Sequence, residues 1–248
     1  MLRKVQCCLV VGALIAAPAA AQTVDELVAK SVEARGGLAK LKAIQSIRMT
    51  GHLTMGPMDM PIVVEMKRPN LFRADVSVQG TSAVQAYDGT TAWNISPMGT
   101  GQAEALPAEE AKGMADQADL DGPLVDYKAK GNQVELVGKE KVEGSDAYKL
   151  KVTKKDGDVQ YHFLDADSYL LIRVEAKRTI RGTEIEGESS LGDYKEVGGV
   201  LWPHSIQNSA KGRPEAQTIA VSKIEVNPPI DDARFKMPAA KPAEAPKD

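Results

Sequence analysis

Residues 72–79 read FRADVSVQ, a run in which apolar and polar side chains alternate strictly. A period of two places one set of side chains on each face of a β-strand. The same period recurs at residues 148–153 and 172–177. Dipeptides typical of tight turns lie between the runs, namely Asp88-Gly89, Asp156-Gly157 and Gly198-Gly199. The pattern predicts an antiparallel meander with one apolar and one solvated face, rather than a βαβ array.

The last predicted strand contains a shift of phase. Ile219 and Val221 share one face, but the next apolar pair is Ile224 and Val226. An extra residue near Ser222 would cause this shift, and so we expect a β-bulge there.

One helix is expected before the strands. Thr23 followed by Glu26 has the pattern of a capping box. Apolar residues then recur at helical spacing until Gly36-Gly37 ends the run, and residues 38–44 add a further turn or two.

A second helix is expected among the strands, at residues 107–120. Pro107 suits a first-turn position, and Glu109 and Glu110 suit the positive end of a helix. Gly113 weakens this helix by about 1 kcal/mol relative to Ala. The segment is therefore either a movable cover or an ordinary surface helix.

The composition excludes several classes of protein. The chain has 248 residues, of which 43% are apolar and 26% charged, so it is globular rather than disordered. Its formal net charge is −3 and only 4% of its residues are aromatic. A chain without a basic stripe or stacking aromatics is a poor binder of nucleic acid, and we expect no such partner.

The first 21 residues have the three parts of a secretory signal peptide. A basic start at Arg3 and Lys4 precedes an apolar run over residues 7–17, and Ala19-Ala20-Ala21 offers a cleavage site. Both cysteines, Cys7 and Cys8, lie inside this segment. We therefore predict a soluble periplasmic product without disulfides or thiolate metal sites. The predicted domain spans residues 22–238, and a flexible Pro/Ala/Lys tail follows over residues 239–248.

The chain offers little that predicts catalysis. Its three histidines, His52, His162 and His204, have no metal-ligand spacing, and nucleophile and phosphate-loop motifs are missing. We therefore expect no enzyme activity, no metal and no cofactor. A hydrolase with an unrecognised site is the third-ranked alternative.

Methionine is concentrated in one part of the chain. Seven of the nine methionines fall within residues 49–114. Flexible, polarizable side chains suit a wall that accepts variable apolar ligands, but they also fill cores that are poor in aromatics.

The series KRPNLF at residues 67–72, DGTTAW at residues 88–93 and Ser96-Pro97 resembles the periplasmic lipoprotein carriers of the LolA type. The closing run ARFKMP at residues 233–238 is also similar to the last element of that family. The resemblance implies an α+β, mostly β fold: an incompletely closed antiparallel β half-barrel with an N-terminal helix and a covering helix.

The resemblance also implies a function and a set of residues. Acyl chains of lipoproteins, or of another lipid, would bind between the concave sheet and the cover, and Arg68 would fasten the cover in the ligand-free state. The alternative for Arg68 is an edge-strand arginine that faces water. The candidate lipid-binding residues are Met66, Phe72, Val76, Trp93, Met98 and Met114, of which Phe72 and Trp93 could equally be plain core.

The predicted function is carriage, as a chaperone-like step of outer-membrane biogenesis. The expected partners are acylated lipoprotein or lipid cargo, an inner-membrane donor transporter and an outer-membrane acceptor. The main alternative is a lipid-responsive sensor or envelope assembly module that uses the same half-barrel to bind a protein.

Overall fold

A computed structural model describes residues 22–99, 101–180, 183–211 and 216–239 of the chain. The predicted export segment and residues 240–248 of the predicted tail lie outside the described residues. Within the described residues, no helix has the length and apolar character needed to cross a membrane.

In the part of the chain that the structure describes, thirteen antiparallel strands form one sheet that does not close on itself. In spatial order they run β6-β5-β4-β3-β2-β1-β13-β12-β11-β10-β9-β8-β7, so that β6 and β7 are the two edges. The predicted half-barrel topology is therefore confirmed. The strands are β1 Ser46–Met55, β2 Met58–Lys67, β3 Leu71–Val78, β4 Thr81–Tyr87, β5 Ala92–Ile95, β6 Ala103–Ala105, β7 Gln133–Val142, β8 Ser145–Thr153, β9 Val159–Asp165, β10 Leu171–Ile180, β11 Thr183–Val197, β12 Val200–Ala210 and β13 Gln217–Val226.

Within the described residues, three α-helices cover part of one face: α1 Val24–Ala34, α2 Leu38–Ala43 and α3 Ala108–Gln117. The capping box predicted for α1 is confirmed, because the side chains of Thr23 and Glu26 each accept a hydrogen bond from the other residue's backbone N–H. Leu27 of α1 packs on the β8–β9 part of the sheet, Leu41 of α2 packs on its centre and Met114 of α3 packs on β3–β5. The covered face is concave, since strands from both halves of the sheet line one common cavity, which α3 and the segment after it also border.

The opposite, convex face is closed by the segment that follows β13. Phe235 is fully buried, and its carbonyl oxygen accepts a hydrogen bond from the Trp93 indole at 2.8 Å. Beside it, the buried carboxylate of Glu65 is held by Arg234 at 2.6 Å and by Arg48 at 2.9 Å. A buried carboxylate with two cationic partners is compensated, and so this segment is fixed to the back of the sheet.

The bulge predicted near Ser222 is confirmed by the pairing of β1 with β13. Thr50 pairs with Lys223, whereas Gly51 pairs with Val221, so that Ser222 is the extra residue. The backbones of β1 and β13 approach closely here, because a Cβ atom at Gly51 would lie 2.1 Å from the carbonyl oxygen of Ala220. The glycine thus allows the bulge to form in the middle of the sheet.

We predict that Gly51→Ala lowers the free energy of unfolding by about 1–3 kcal/mol, because the added methyl group overlaps a backbone oxygen that cannot move alone. Urea unfolding followed by circular dichroism measures the effect. Gly192→Ala is the matched control: a Cβ there meets nothing within 4 Å, and we expect an unchanged or slightly higher stability. Equal effects at the two glycines would contradict the close approach.

Candidate functional site

A cavity of about 1680 Å³ lies between the concave face and the covering segments. It exceeds the roughly 300–1,000 Å³ of ordinary small-molecule pockets. One wall comes from β1–β4 and the facing wall from β9–β13. Aliphatic side chains dominate both walls, among them Leu53, Val64, Val76, Val174, Ile206 and Ile219.

Three of the six candidate lipid-binding residues line this cavity. Met66, Phe72 and Val76 point to the concave face from β2 and β3. Met66 and Phe72 are direct partners across the two strands. The sheet thus brings together the residues that period-two alternation places on one face.

The other three candidates are not among the lining residues. Trp93 pairs with Ala86 and is fully buried on the convex face, so it is core. Met98 lies in the β5–β6 turn and is 95% exposed. Met114 is buried under α3 against Phe72, and it is Ala115 on the same helix that meets the cavity. We therefore leave Trp93, Met98 and Met114 out of the proposed lipid-binding set.

Sequence reasoning missed a set of polar residues on the cavity wall. They include Gln160 and His162 of β9, Ser189 of β11 and Asn208 of β12. His162 is buried, and its Nε2 lies 2.9 Å from Oε1 of Gln160. Burial lowers the pKa of His162 to about 4, so that the ring is neutral at pH 7. One signal in the sequence could have placed His162 on this face. It lies two residues before Leu164 on the same strand, and Leu164 packs against α1.

Arg68 follows β2 and ties two covering segments to the sheet. Its Nε donates to the carbonyl oxygen of Ile44 at 2.7 Å, and its Nη2 donates to that of Leu41 at 3.2 Å. Both carbonyls belong to the C-terminal end of α2. Its Nη1 and Nη2 also donate to the two carboxylate oxygens of Asp121, at 2.9 and 2.6 Å. Arg68 therefore does not face water as an edge-strand residue.

Asp121 lies in the segment that joins α3 to β7 and collects contacts from three separate cations. Besides Arg68, Lys42 of α2 donates to its carboxylate at 2.7 Å, and Arg35 donates to its carbonyl oxygen at 3.3 Å. Burial alone would raise the pKa of Asp121, but the hydrogen bonds from Arg68 and Lys42 outweigh it and lower the pKa to about 2. We call Arg68, Asp121 and Lys42 the latch.

We predict that Arg68→Leu lowers the free energy of unfolding by about 3 kcal/mol, because it leaves the Asp121 carboxylate buried with one cation instead of two. The double variant Arg68→Leu/Asp121→Leu removes that uncompensated charge and should recover much of the loss. Lys141→Met breaks an exposed ion pair and should change stability by less than about 1 kcal/mol. Urea unfolding at pH 7 distinguishes the four proteins, and a double variant no more stable than Arg68→Leu would contradict the account of Asp121.

We predict that the free energy of unfolding falls in two separate acidic pH ranges, an upper one due to His162 and a lower one due to Asp121. His162 has a folded pKa of about 4 against 6.5 when unfolded, so the unfolded chain takes up the proton first. The free energy of unfolding should fall by up to about 3 kcal/mol between pH 6.5 and 4. Asp121, whose pKa is lowered from 3.8 to about 2, contributes stability that is lost only as the pH falls through that lower range. His162→Leu should abolish the upper window alone in urea titrations, and an unchanged pH profile in that variant would contradict the assignment.

The fold is similar to the folds of several solved structures, among them the following three. A LolA superfamily protein from Nitrosomonas europaea is 14% identical, with a TM-score of 0.58 over 87% of this chain and 98% of that one. A domain assigned to outer membrane lipoprotein sorting, from Vibrio parahaemolyticus, is 12% identical, with a TM-score of 0.57 over 86% and 97% of the two chains. A DUF1329 family protein from Desulfovibrio piger is 14% identical, with a TM-score of 0.61 over 86% and 97%.

The sequence matches no protein-family model and no curated protein. At these identities the solved structures establish the architecture, which covers nearly the whole length of each of them. The open sheet, the helical cover and the structural matches together show that the chain has a LolA-like fold.

Proposed function

We propose that this protein is a periplasmic carrier that binds the acyl chains of lipoproteins, or of another lipid, and shuttles them between membranes. The observation that carries the proposal is the cavity of about 1680 Å³ with aliphatic walls from both halves of the sheet. The LolA-like fold and the motifs at residues 67–72 and 88–93 support the same function.

The cavity has chemistry suited to hydrocarbon. Exposing one methylene to water costs about 0.8 kcal/mol, so a chain of roughly 15 methylenes resists transfer through water by on the order of 12 kcal/mol. Walls formed by Leu53, Met66 and Val76 replace that water with apolar contacts. A partly open cavity recovers only part of this free energy, which permits release as well as extraction.

The latch supplies the closed, ligand-free state. Arg68 binds α2 and the segment that leads from α3 to β7, so that one side chain ties two covering segments to the end of β2. Cargo that enters beneath the cover would have to displace these segments and lengthen those hydrogen bonds. The free energy of the latch therefore opposes binding and favours release.

Carriage requires a donor and an acceptor. We propose that an inner-membrane transporter loads the protein and that an outer-membrane receptor unloads it, after export by the signal peptide. The chain itself needs no catalytic step for this exchange.

We predict that the purified protein binds a fluorescent fatty acyl probe saturably. Val76→Asp and Leu53→Asp should each weaken the affinity at least tenfold, because a carboxylate on the wall faces the chain without a partner. Met98→Asp is the matched control, since Met98 is exposed outside the cavity, and its affinity should equal that of the wild type. Equal affinities in all four proteins, or recovery of one stoichiometric protein partner and no lipid from envelope extract, would contradict carriage and favour a sensor or assembly module.

We predict that Arg68→Leu and Arg68→Leu/Asp121→Leu both release the probe more slowly than the wild type. Loss of the latch destabilises only the closed state, and each 1.4 kcal/mol removed from it strengthens binding tenfold. Stopped-flow dilution into acceptor vesicles measures the release rate, with Lys141→Met as the control. The double variant leaves no uncompensated carboxylate at position 121, and unchanged release rates in this variant would contradict the proposed role of the latch.

A further inference from the structure

A row of polar side chains crosses the otherwise aliphatic concave face. The pairing of β9 to β13 aligns His162 with Val174, Val174 with Ser189, Ser189 with Asn208 and Asn208 with Gln217. Every one of these residues lines the cavity. Four strand spacings of about 4.8 Å make the row roughly 19 Å long. We call His162, Ser189, Asn208 and Gln217 the polar row.

The row contains a hydrogen-bond acceptor that the described protein leaves unused. Oε1 of Gln160 can only accept, so Nε2 of His162 carries the ring proton in the 2.9 Å contact between them. In the neutral ring Nδ1 is then a lone-pair acceptor. It is buried and has no hydrogen-bond partner within the described residues. A buried acceptor without a partner costs free energy, and native structures contain few of them.

The groups of the row are uncharged. Ser189 donates to the side-chain oxygen of Asn208 at 2.7 Å. Lys154, which also lines the cavity, is held by both carboxylate oxygens of Asp116 at 2.6 Å. The polar row thus presents neutral amide, hydroxyl and imidazole groups, and the Lys154 ammonium elsewhere on the cavity lining is already paired with Asp116.

We propose that the polar row binds an uncharged, hydrogen-bond-donating group of the cargo, a hydroxyl or an amide N–H, while the acyl chain lies along the aliphatic walls. This inference rests on the proposed function and narrows it to a class of lipid. The donor group of the cargo would hydrogen-bond to Nδ1 of His162, a residue that lines the cavity and whose Nδ1 has no partner within the described residues. A lipid without a donor leaves that acceptor orphaned and is discriminated against.

The test uses three probes with the same chain length. Oleyl alcohol carries a hydroxyl donor, N-ethyloleamide carries an amide donor, and methyl oleate carries none. Each displaces a fluorescent acyl probe from the full mature protein. We expect the alcohol or the amide to bind at least tenfold more tightly than the ester. Tighter binding of the alcohol would identify a hydroxylated lipid as the cargo, and tighter binding of the amide would identify an N-acylated chain.

Variants assign the preference to the row. In His162→Leu the ratio of donor to ester affinity should fall to about 1, while thermal unfolding at pH 7 occurs at an equal or higher temperature because the orphan is gone. Val174→Ala, which lies in the same row between His162 and Ser189, should weaken all three probes alike and keep the ratio.

If the wild-type protein bound the three probes with equal affinity and saturably, the proposed role of the polar row would be wrong, but the carrier function would stand. Displacement by none of them would overturn the carrier function itself. The wild-type comparison decides the first question even if His162→Leu fails to fold.

Discussion

The concave face of this sheet is wider than its helices can cover. Thirteen strands at about 4.8 Å spacing span nearly 58 Å along the curve. The helices have 11, 6 and 10 residues, and at 1.5 Å per residue none exceeds about 17 Å. Among the described residues, apolar strand side chains therefore remain without a helix packed on them over part of the face. The cavity follows from this shortage, and so does its division into a packed region under the helices and an aliphatic region beyond them.

A cover of short helices needs more than packing to stay in place. The side chain that precedes α3, Pro107, makes no capping hydrogen bond, and Gly113 lowers the helical propensity of the same helix. Asp121 compensates by joining the segment after α3 to Arg68 and Lys42. The contact is strong because the buried Asp121 carboxylate accepts two hydrogen bonds from one guanidinium, and it is reversible because it is ionic. These two properties suit a cover that must both close and open.

Local features of the fold were predictable, and long-range ones were not. The capping box at Thr23 and the bulge at Ser222 depend on neighbours within a few residues, and the sequence predicted both. Trp93 shows where local pattern was not enough. Its neighbour Ala92 pairs with Tyr87, which pairs with Phe72, and all three lie on the concave side. Because successive residues of a strand face opposite sides, Trp93 lies on the convex face. The role of Asp121 could not be foreseen, because its contact with Arg68 depends on a tertiary arrangement that no local spacing encodes. For the polar row, the phase of His162 with Leu164 indicated the face of one member, but not its alignment with Ser189, Asn208 and Gln217.

The two tryptophans give the molecule built-in optical reporters on opposite sides of the sheet. Trp202 packs with α2 and lies under the Arg35 guanidinium, whose carbon is 6.0 Å from its ring centroid. Trp93 lies on the back of the sheet, bonded to the Phe235 backbone and stacked with Arg73. Emission from Trp202 therefore registers movement of the helices, whereas emission from Trp93 registers detachment of the closing segment. A single-tryptophan version of the protein would separate opening of the front from fraying of the back in real time.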